Sequence, residues 1–185
     1  MRTATAPLLL TLMLSPGAAA APGEVLSVGG PARMFSLPSL NEDVSMEILG
    51  RSRVALSDFA GVSPQASRDA VVLYFFDREH GGAGLATLHR VQRQLGSKGV
   101  QVLAISTDRG DLGAMSTWVE GQKLSFPVLR DNHHVVLDRY GFRVDQLPLL
   151  YVLESDGDIV AVGQPDGASL AAELDAELQP LLVER

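Results

Sequence analysis

The sequence predicts an α/β domain, with a mixed central sheet, helices on both of its faces, and an extended β pair ahead of it. Three observations carry that expectation. Two apolar runs, Val71–Phe76 (VVLYFF) and Val100–Ser106 (VQVLAIS), read as strands covered on both faces. Each is followed by apolar residues at three- and four-residue steps, the period of a helix with one buried face. Near the C-terminus two more apolar runs flank Ser155-Asp156-Gly157-Asp158, where Asp-Gly favours a tight hairpin turn.

Residues 1–20 read as a signal peptide. Arg2 supplies the positive charge, Pro7 to Leu14 the short apolar core, and Ala18 to Ala21 the small residues of a cleavage site. That stretch is too short to span a bilayer, so the mature form is expected to carry no membrane span. Residues 21–30 form a Gly- and Pro-containing lead-in, expected to be loosely ordered. The domain proper is assigned to residues 31–185. Its extended pair lies at Phe35, Leu37 and Leu40 and again at Val54 and Leu56. After the first buried strand comes a glycine-rich turn, His80 to Gly84. Leu85, Leu88, Val91 and Leu95 then mark a helix that Gly96 and Gly99 end. After the second strand, Leu112, Met115, Trp118 and Val119 mark another helix. Pro127 to Leu129 is short and extended, and Val135 to Tyr140 is a short helix closed by Gly141. Leu149 to Leu153 and Ile159 to Val162 make the hairpin. Leu170, Leu174, Leu178 and Leu181 make the last helix. Two βα crossovers followed by a hairpin require parallel and antiparallel strands in one sheet.

Composition bounds the function. A chain of 185 residues, 46% hydrophobic, can bury a core without disulfides or structural zinc. A net charge of −7, with 15 scattered basic residues, argues against nucleic acid or an anionic membrane as partner. There is no cysteine, so an oxidising compartment offers this chain no disulfide.

Five segments, in order, resemble the redoxins, the alkyl hydroperoxide reductase/thiol-specific antioxidant and thioredoxin-like group. They are Gly30-Pro31-Ala32-Arg33-Met34-Phe35, Val54 to Gly61 with its L-S-D-F step, Val100 to Asp108, Phe126-Pro127-Val128-Leu129-Arg130-Asp131, and Leu147 to Leu153 followed by Asp156-Gly157. The resemblance implies a thioredoxin-like fold from about residue 30 onward, with Leu147-Pro148 cis beside the active-site turn and His80 close to Pro148. It also locates the missing chemistry. In thioredoxin-like members a C-x-x-C follows the central strand, and those two positions are His80 and Ala83 here. In a peroxiredoxin alignment the peroxidatic cysteine falls near Gly84. The helix N-terminus activates a thiolate in such sites, and disulfide exchange needs sulfur as nucleophile and leaving group. No side chain here substitutes, so thiol redox catalysis is excluded and no catalytic residue or cofactor is assigned.

Other readings of the turn compete. His80, with Asp77 and Glu79 before it, reads as a solvated turn histidine, a metal ligand or a proton donor. His133-His134 are adjacent and unsuited to a joint site, and His89 is placed on a helix surface. Gly82-x-Gly84 with Asp108 mimics a dinucleotide fingerprint, but Thr87 stands where its third glycine belongs. The helix start could instead hold an anion. A glycine-rich turn also fits a loop with no thiol left to position. The expectation is an exported protein, periplasmic or secreted, that has lost its redox chemistry. It would bind a protein or an extended peptide at His80, Gly81, Gly82, Gly84, Leu147 and Pro148, with the Leu147 side chain exposed. The alternatives are a thiol-independent enzyme or a metal- or anion-binding site at the His80 turn, and a subunit supporting a cysteine-bearing partner.

Overall fold

A computed structural model of the chain describes residues 25–183. The expected signal peptide and residues 21–24 of the lead-in lie outside the described residues. The elements run β1 (Ser36–Pro38), α1 (Glu42–Leu49), β2 (Arg53–Ala55), β3 (Ala70–Phe76), α2 (Leu85–Leu95), β4 (Val100–Ser106) and α3 (Leu112–Gly121). They continue with β5 (Val128–Arg130), α4 (Val135–Arg139), β6 (Leu149–Glu154), β7 (Ile159–Gly163) and α5 (Leu170–Val183). The main sheet has the order β5-β4-β3-β6-β7. Strands β3, β4 and β5 are parallel, and β6 and β7 run antiparallel to their neighbours.

Every residue of β3 and β4 is buried, as their largely apolar runs lead one to expect, with Gln101 and Ser106 the buried polar members of β4. Alternation along β3 divides the interior in two. Val71, Leu73 and Phe75 face a core completed by Leu49, Phe59, Val136, Leu137 and Tyr140. Val72, Tyr74 and Phe76 face the core of Leu85, Leu88, Met115, Val119, Leu170 and Leu174. Helices α2, α3 and α5 therefore cover one face, and α4 with the N-terminal elements covers the other.

The expected extended pair is β1 with β2, antiparallel, with Leu37 opposite Val54. Between them lies α1, which the sequence reading left out. Asn41 precedes it and Gly50, at φ +69, ends it by donating to the Met46 carbonyl. The Asn41 side chain is buried against β5, donating Nδ2 to the Phe126 carbonyl (2.9 Å) and accepting the Val128 N–H (2.8 Å). The L-S-D-F step is a 3₁₀ turn in which the Asp58 carboxylate accepts the Ala55 N–H (2.8 Å) and pairs with Arg51. Leu112, read as part of the buried face of α3, is exposed; Met115 and Val119 carry that contact.

Part of the lead-in is firmly attached. Leu26 is buried in the first core. Gly29 donates to the Ile159 carbonyl (2.8 Å), Ile159 donates back to Gly30 (2.9 Å), and Ala32 donates to Gly157 (2.9 Å). Farther on, Leu40 donates to Val128 (2.7 Å) at the opposite edge of the sheet. The glycines and proline of residues 21–30 gave a loop-like pattern, but backbone pairing at β7 and burial of Leu26 fix the segment from Leu26 onward.

Candidate functional site

Strand β3 ends at Phe76 and the chain reverses over Asp77–His80. The Asp77 N–H donates to the His80 carbonyl (3.0 Å), and the His80 N–H donates to Asp77 Oδ1 (2.5 Å). His80 Nδ1 lies 3.0 Å from both carboxylate oxygens. A carboxylate only accepts, so Nδ1 carries the proton and Nε2 faces away from the pair. The His80 side chain is 55% exposed. Its hydrogen bond to Asp77, then the charge of that carboxylate, hold its pKa above the ordinary value, and Glu79 adds to the effect.

Gly81 follows at φ +98, where an L side chain is strained. A Cβ there would fall 2.7 Å from Pro148 Cβ and 2.8 Å from the Tyr74 hydroxyl oxygen. The Leu147–Pro148 bond is cis, and the residue seated on Pro148 is Gly81, one place after His80. The Tyr74 hydroxyl donates to the Gly81 carbonyl (3.1 Å). Burial pushes this phenol's pKa up to about 12.

The 3₁₀ turn Gly82–Gly84 leads into α2. A Cβ on Gly84 would lie 2.5 Å from the Tyr74 hydroxyl oxygen and 3.0 Å from Leu170 Cδ2. The space a thiol at the peroxiredoxin position would need is thus filled by a phenol. The glycines at 81 and 84 are demanded by close packing, which is a different reason from a turn relaxed by the loss of a thiol. Gly82 has more room, its nearest side chain being the Trp118 ring at 3.7 Å from a Cβ. Ala83 is exposed.

Leu147 departs from expectation. Its side chain is buried in the first core, at 9% exposure, and does not line a surface groove. The 3₁₀ turn Val144–Gln146 pulls it inward: the Leu147 N–H closes onto the Val144 carbonyl (3.2 Å). The Gln146 carbonyl accepts from Gln164 Nε2 (3.2 Å), while the Leu147 carbonyl takes no backbone hydrogen bond among the described residues. Of the residues read as a binding surface, His80, Gly81, Gly82 and Pro148 gather at one accessible turn, and Gly84 and Leu147 lie beneath it.

Beside the turn opens a cleft of about 410 Å³, lined by Asp77, Thr107, Asp108, Arg109, His134 and Val144. Asp108 is occupied by the backbone N–H (3.1 Å) and Nε (3.3 Å) of Arg78 and by the Ser106 hydroxyl (3.1 Å). It is therefore not open to a ribose in the way a dinucleotide site requires. His133 and His134 diverge, the first beside Asn132 and the second turned to Thr107 and Arg109. His89, half-buried on α2, accepts the Ser125 N–H at Nδ1 (3.2 Å). Among the described residues no three His, Asp or Glu side chains are placed to hold a metal ion. A larger groove of about 730 Å³ between α2 and α5 includes none of the turn or cis-proline residues.

A parallel strand running into a turn seated on a cis-proline, at the start of a helix in a mixed sheet, defines a thioredoxin-like protein. The chain belongs to the AhpC/TSA family, whose model matches residues 28–162. Its fold is shared with peroxidoxin BcpB from Mycobacterium tuberculosis, at 19% identity and TM-score 0.63 over 85% of this chain and 97% of that one. A secreted Mycobacterium tuberculosis disulfide oxidoreductase homologous to DsbE of E. coli aligns at 20% identity and TM-score 0.56, over 77% of this chain and 95% of that one. A thiol-disulfide oxidoreductase from Bacteroides fragilis aligns at 21% and 0.58, over 80% and 98%. No curated protein sequence matches the chain. This family member has no cysteine at any position, and no described helix is long and apolar enough to cross a membrane.

Proposed function

We propose that this chain is an exported, non-catalytic member of its family, a binding or accessory module that engages an extended peptide or protein segment at the turn over Pro148. One observation carries the reading. Where the family's chemistry sits, this chain has a side-chain-poor shelf of Gly81, Gly82 and Ala83 between Trp118 and Pro148, with the Leu147 carbonyl unpaired beside it. A flat backbone surface poor in side chains suits pairing with an added strand. No thiolate is available for peroxide or disulfide attack. The purified mature protein is expected to reduce neither hydroperoxide nor insulin disulfides above buffer. A photo-crosslinking residue at Ala83 should label a native partner from the protein's own extract, and Ala83→Arg should abolish capture at an unchanged melting temperature. Turnover in either assay, or capture indifferent to Ala83→Arg, overturns the reading.

A second reading draws on the Asp77–His80 pair, an oriented imidazole with Nε2 exposed, suited to moving a proton in thiol-independent chemistry. His80→Gln separates the two. It leaves peptide capture intact under the first reading and removes turnover under the second.

A further inference from the structure

We propose that the cleft beside the turn is a binding site for a monoanionic carboxylate, with Arg109 as the recognising cation and His134 as its positioning residue. The reasoning begins with His134. Its Nε2 lies 2.8 Å from the Thr107 carbonyl, an acceptor, so Nε2 carries the proton. Its Nδ1 lies 3.1 Å from Arg109 Nη2, and a guanidinium only donates, so Nδ1 presents its lone pair. The imidazole is thereby fixed as one neutral tautomer bridging a backbone carbonyl and an arginine. To reach that position His134 holds φ +58, a left-handed conformation unfavourable for a residue with a Cβ.

Arg109 has no carboxylate partner among the described residues; nor has nearby Arg130, but its Nη2 is held by the Gly110 carbonyl (2.8 Å). The surrounding acids are engaged elsewhere. Asp77 holds His80, and Asp108 holds Arg78 and Ser106. Asp111 caps α3 through the Ala114 N–H, and Asp131 accepts the N–H groups of Val136 and Leu137. Arg109 instead spends one N–H on a neutral imidazole and keeps the others directed to no protein acceptor, at the wall of the cleft. Arg109 is exposed, so its remaining N–H groups face the cleft and solvent and are open to an incoming anion. The guanidinium fork suits a planar carboxylate. Asp77 and Asp108 also line the cleft, a residual negative potential that weighs more against a dianion such as phosphate than against a monoanion, and Val144 adds an apolar contact for the ligand's body.

The site does not rest on the peptide reading of the turn, and its carboxylate could belong to a small acid or to a peptide's C-terminus. Amide and arginine-Nε NMR shifts distinguish these when the protein is titrated with propionate, with acetyl-Leu-Val-Ala as free acid, with the same peptide as C-terminal amide, and with inorganic phosphate. The free acids are expected to shift Thr107 to Gly110 and Arg109 Nε saturably, with the amide about tenfold weaker or worse. Propionate equal to the acid peptide identifies a small-acid site, and peptide acid alone a chain-terminus site. Arg109→Gln should abolish the response. His134→Asn tolerates the left-handed backbone but removes the imidazole, and should weaken binding several-fold while shifting the Arg109 guanidinium Nη signals as the Nη2 contact is lost. In the parent, His134 ¹⁵N shifts should report an Nε2–H tautomer. Equal response to acid and amide, a stronger response to phosphate, shifts mapping away from Thr107 to Gly110, or none at millimolar ligand would each overturn the proposal.

Discussion

Returning a cysteine to position 84 should destabilise this protein, and the structure gives the size of the effect. Gly84 sits at φ −66, ψ −23, an ordinary right-handed conformation, so the backbone raises no objection to a side chain. Replacing glycine at such a site would by itself stabilise by about 0.4–1 kcal/mol through the unfolded chain. The obstacle is Tyr74, whose hydroxyl oxygen and Cζ would lie 2.5 and 3.0 Å from the new Cβ. Tyr74 is 1% exposed and anchored on a central strand, so it cannot swing out to solvent. Forcing it aside costs about 1–3 kcal/mol of overpacking, and breaking its bond to the Gly81 carbonyl costs about 1 kcal/mol more. The net for Gly84→Cys, and for Gly84→Ala as a thiol-free control, is about 1–3.5 kcal/mol, at about 2–4 °C in Tm for each kcal/mol. Tyr74→Phe removes the blocking oxygen. It should cost about 1 kcal/mol alone and relieve about 1–2 kcal/mol in the double variant. Urea unfolding followed by circular dichroism, with unchanged denaturant slopes, measures all four corners of the cycle. Additive costs, or a Gly84→Cys protein as stable as its parent, would show that the phenol is not what closes this space.

Two further outcomes follow from the same geometry. Leu147→Asp buries an unpaired carboxylate in the first core and should cost about 3 kcal/mol or more. A Tm within 2 °C of the parent would return Leu147 to the surface. His80 should titrate by NMR above its ordinary value of about 6.5, and Asp77→Asn should bring it back. Because the folded pKa is the raised one, the stability from this pair is full below about pH 6.5 and is lost as pH rises through the folded value. A His80 midpoint at or below 6.5, or one unmoved by Asp77→Asn, would contradict the pairing.

The strands were legible because burial on both faces leaves the run mostly apolar, as in VVLYFF and, with Gln101 and Ser106 as buried exceptions, VQVLAIS. The hairpin was legible because Asp156-Gly157 announces it, and Gly157 has φ +95. The cis-proline came from a resemblance, not from any property of Leu147 or Pro148. Helix α1 was missed because its buried positions include Ser45, held by a hydroxyl contact to Ser39 (2.7 Å), so its apolar stripe is broken. At the site, sequence could mark the glycines but not what they avoid. Of the contact partners of Gly81 and Gly84, Pro148 and Leu170 are far away along the chain, and Tyr74, though 7 residues before Gly81, meets the turn only because β3 reverses into it. Burial of Leu147 depends on a single 3₁₀ turn. Arg109 and His134 carried no local signal. Their meeting is made by β4 and β5 ending side by side, with Ser106 opposite Arg130.

The segment that pairs with β7 at Gly29–Ala32 and with β5 at Leu40 runs from one rim of the sheet to the other. Each rim would otherwise offer unpaired N–H and C=O groups to another molecule. One short stretch near the start of the chain thus guards both sides at once, and its attachments lie at opposite ends of the synthesis order. Residues 29–32 emerge first, yet their partners at 157 and 159 emerge among the last, a closure of high contact order that is slow to form. Until those late residues arrive, the sheet stays open at its flank. A polypeptide trimmed past residue 32 keeps its two cores nearly whole and loses the backbone partners of that flank, so it should stick to its own copies.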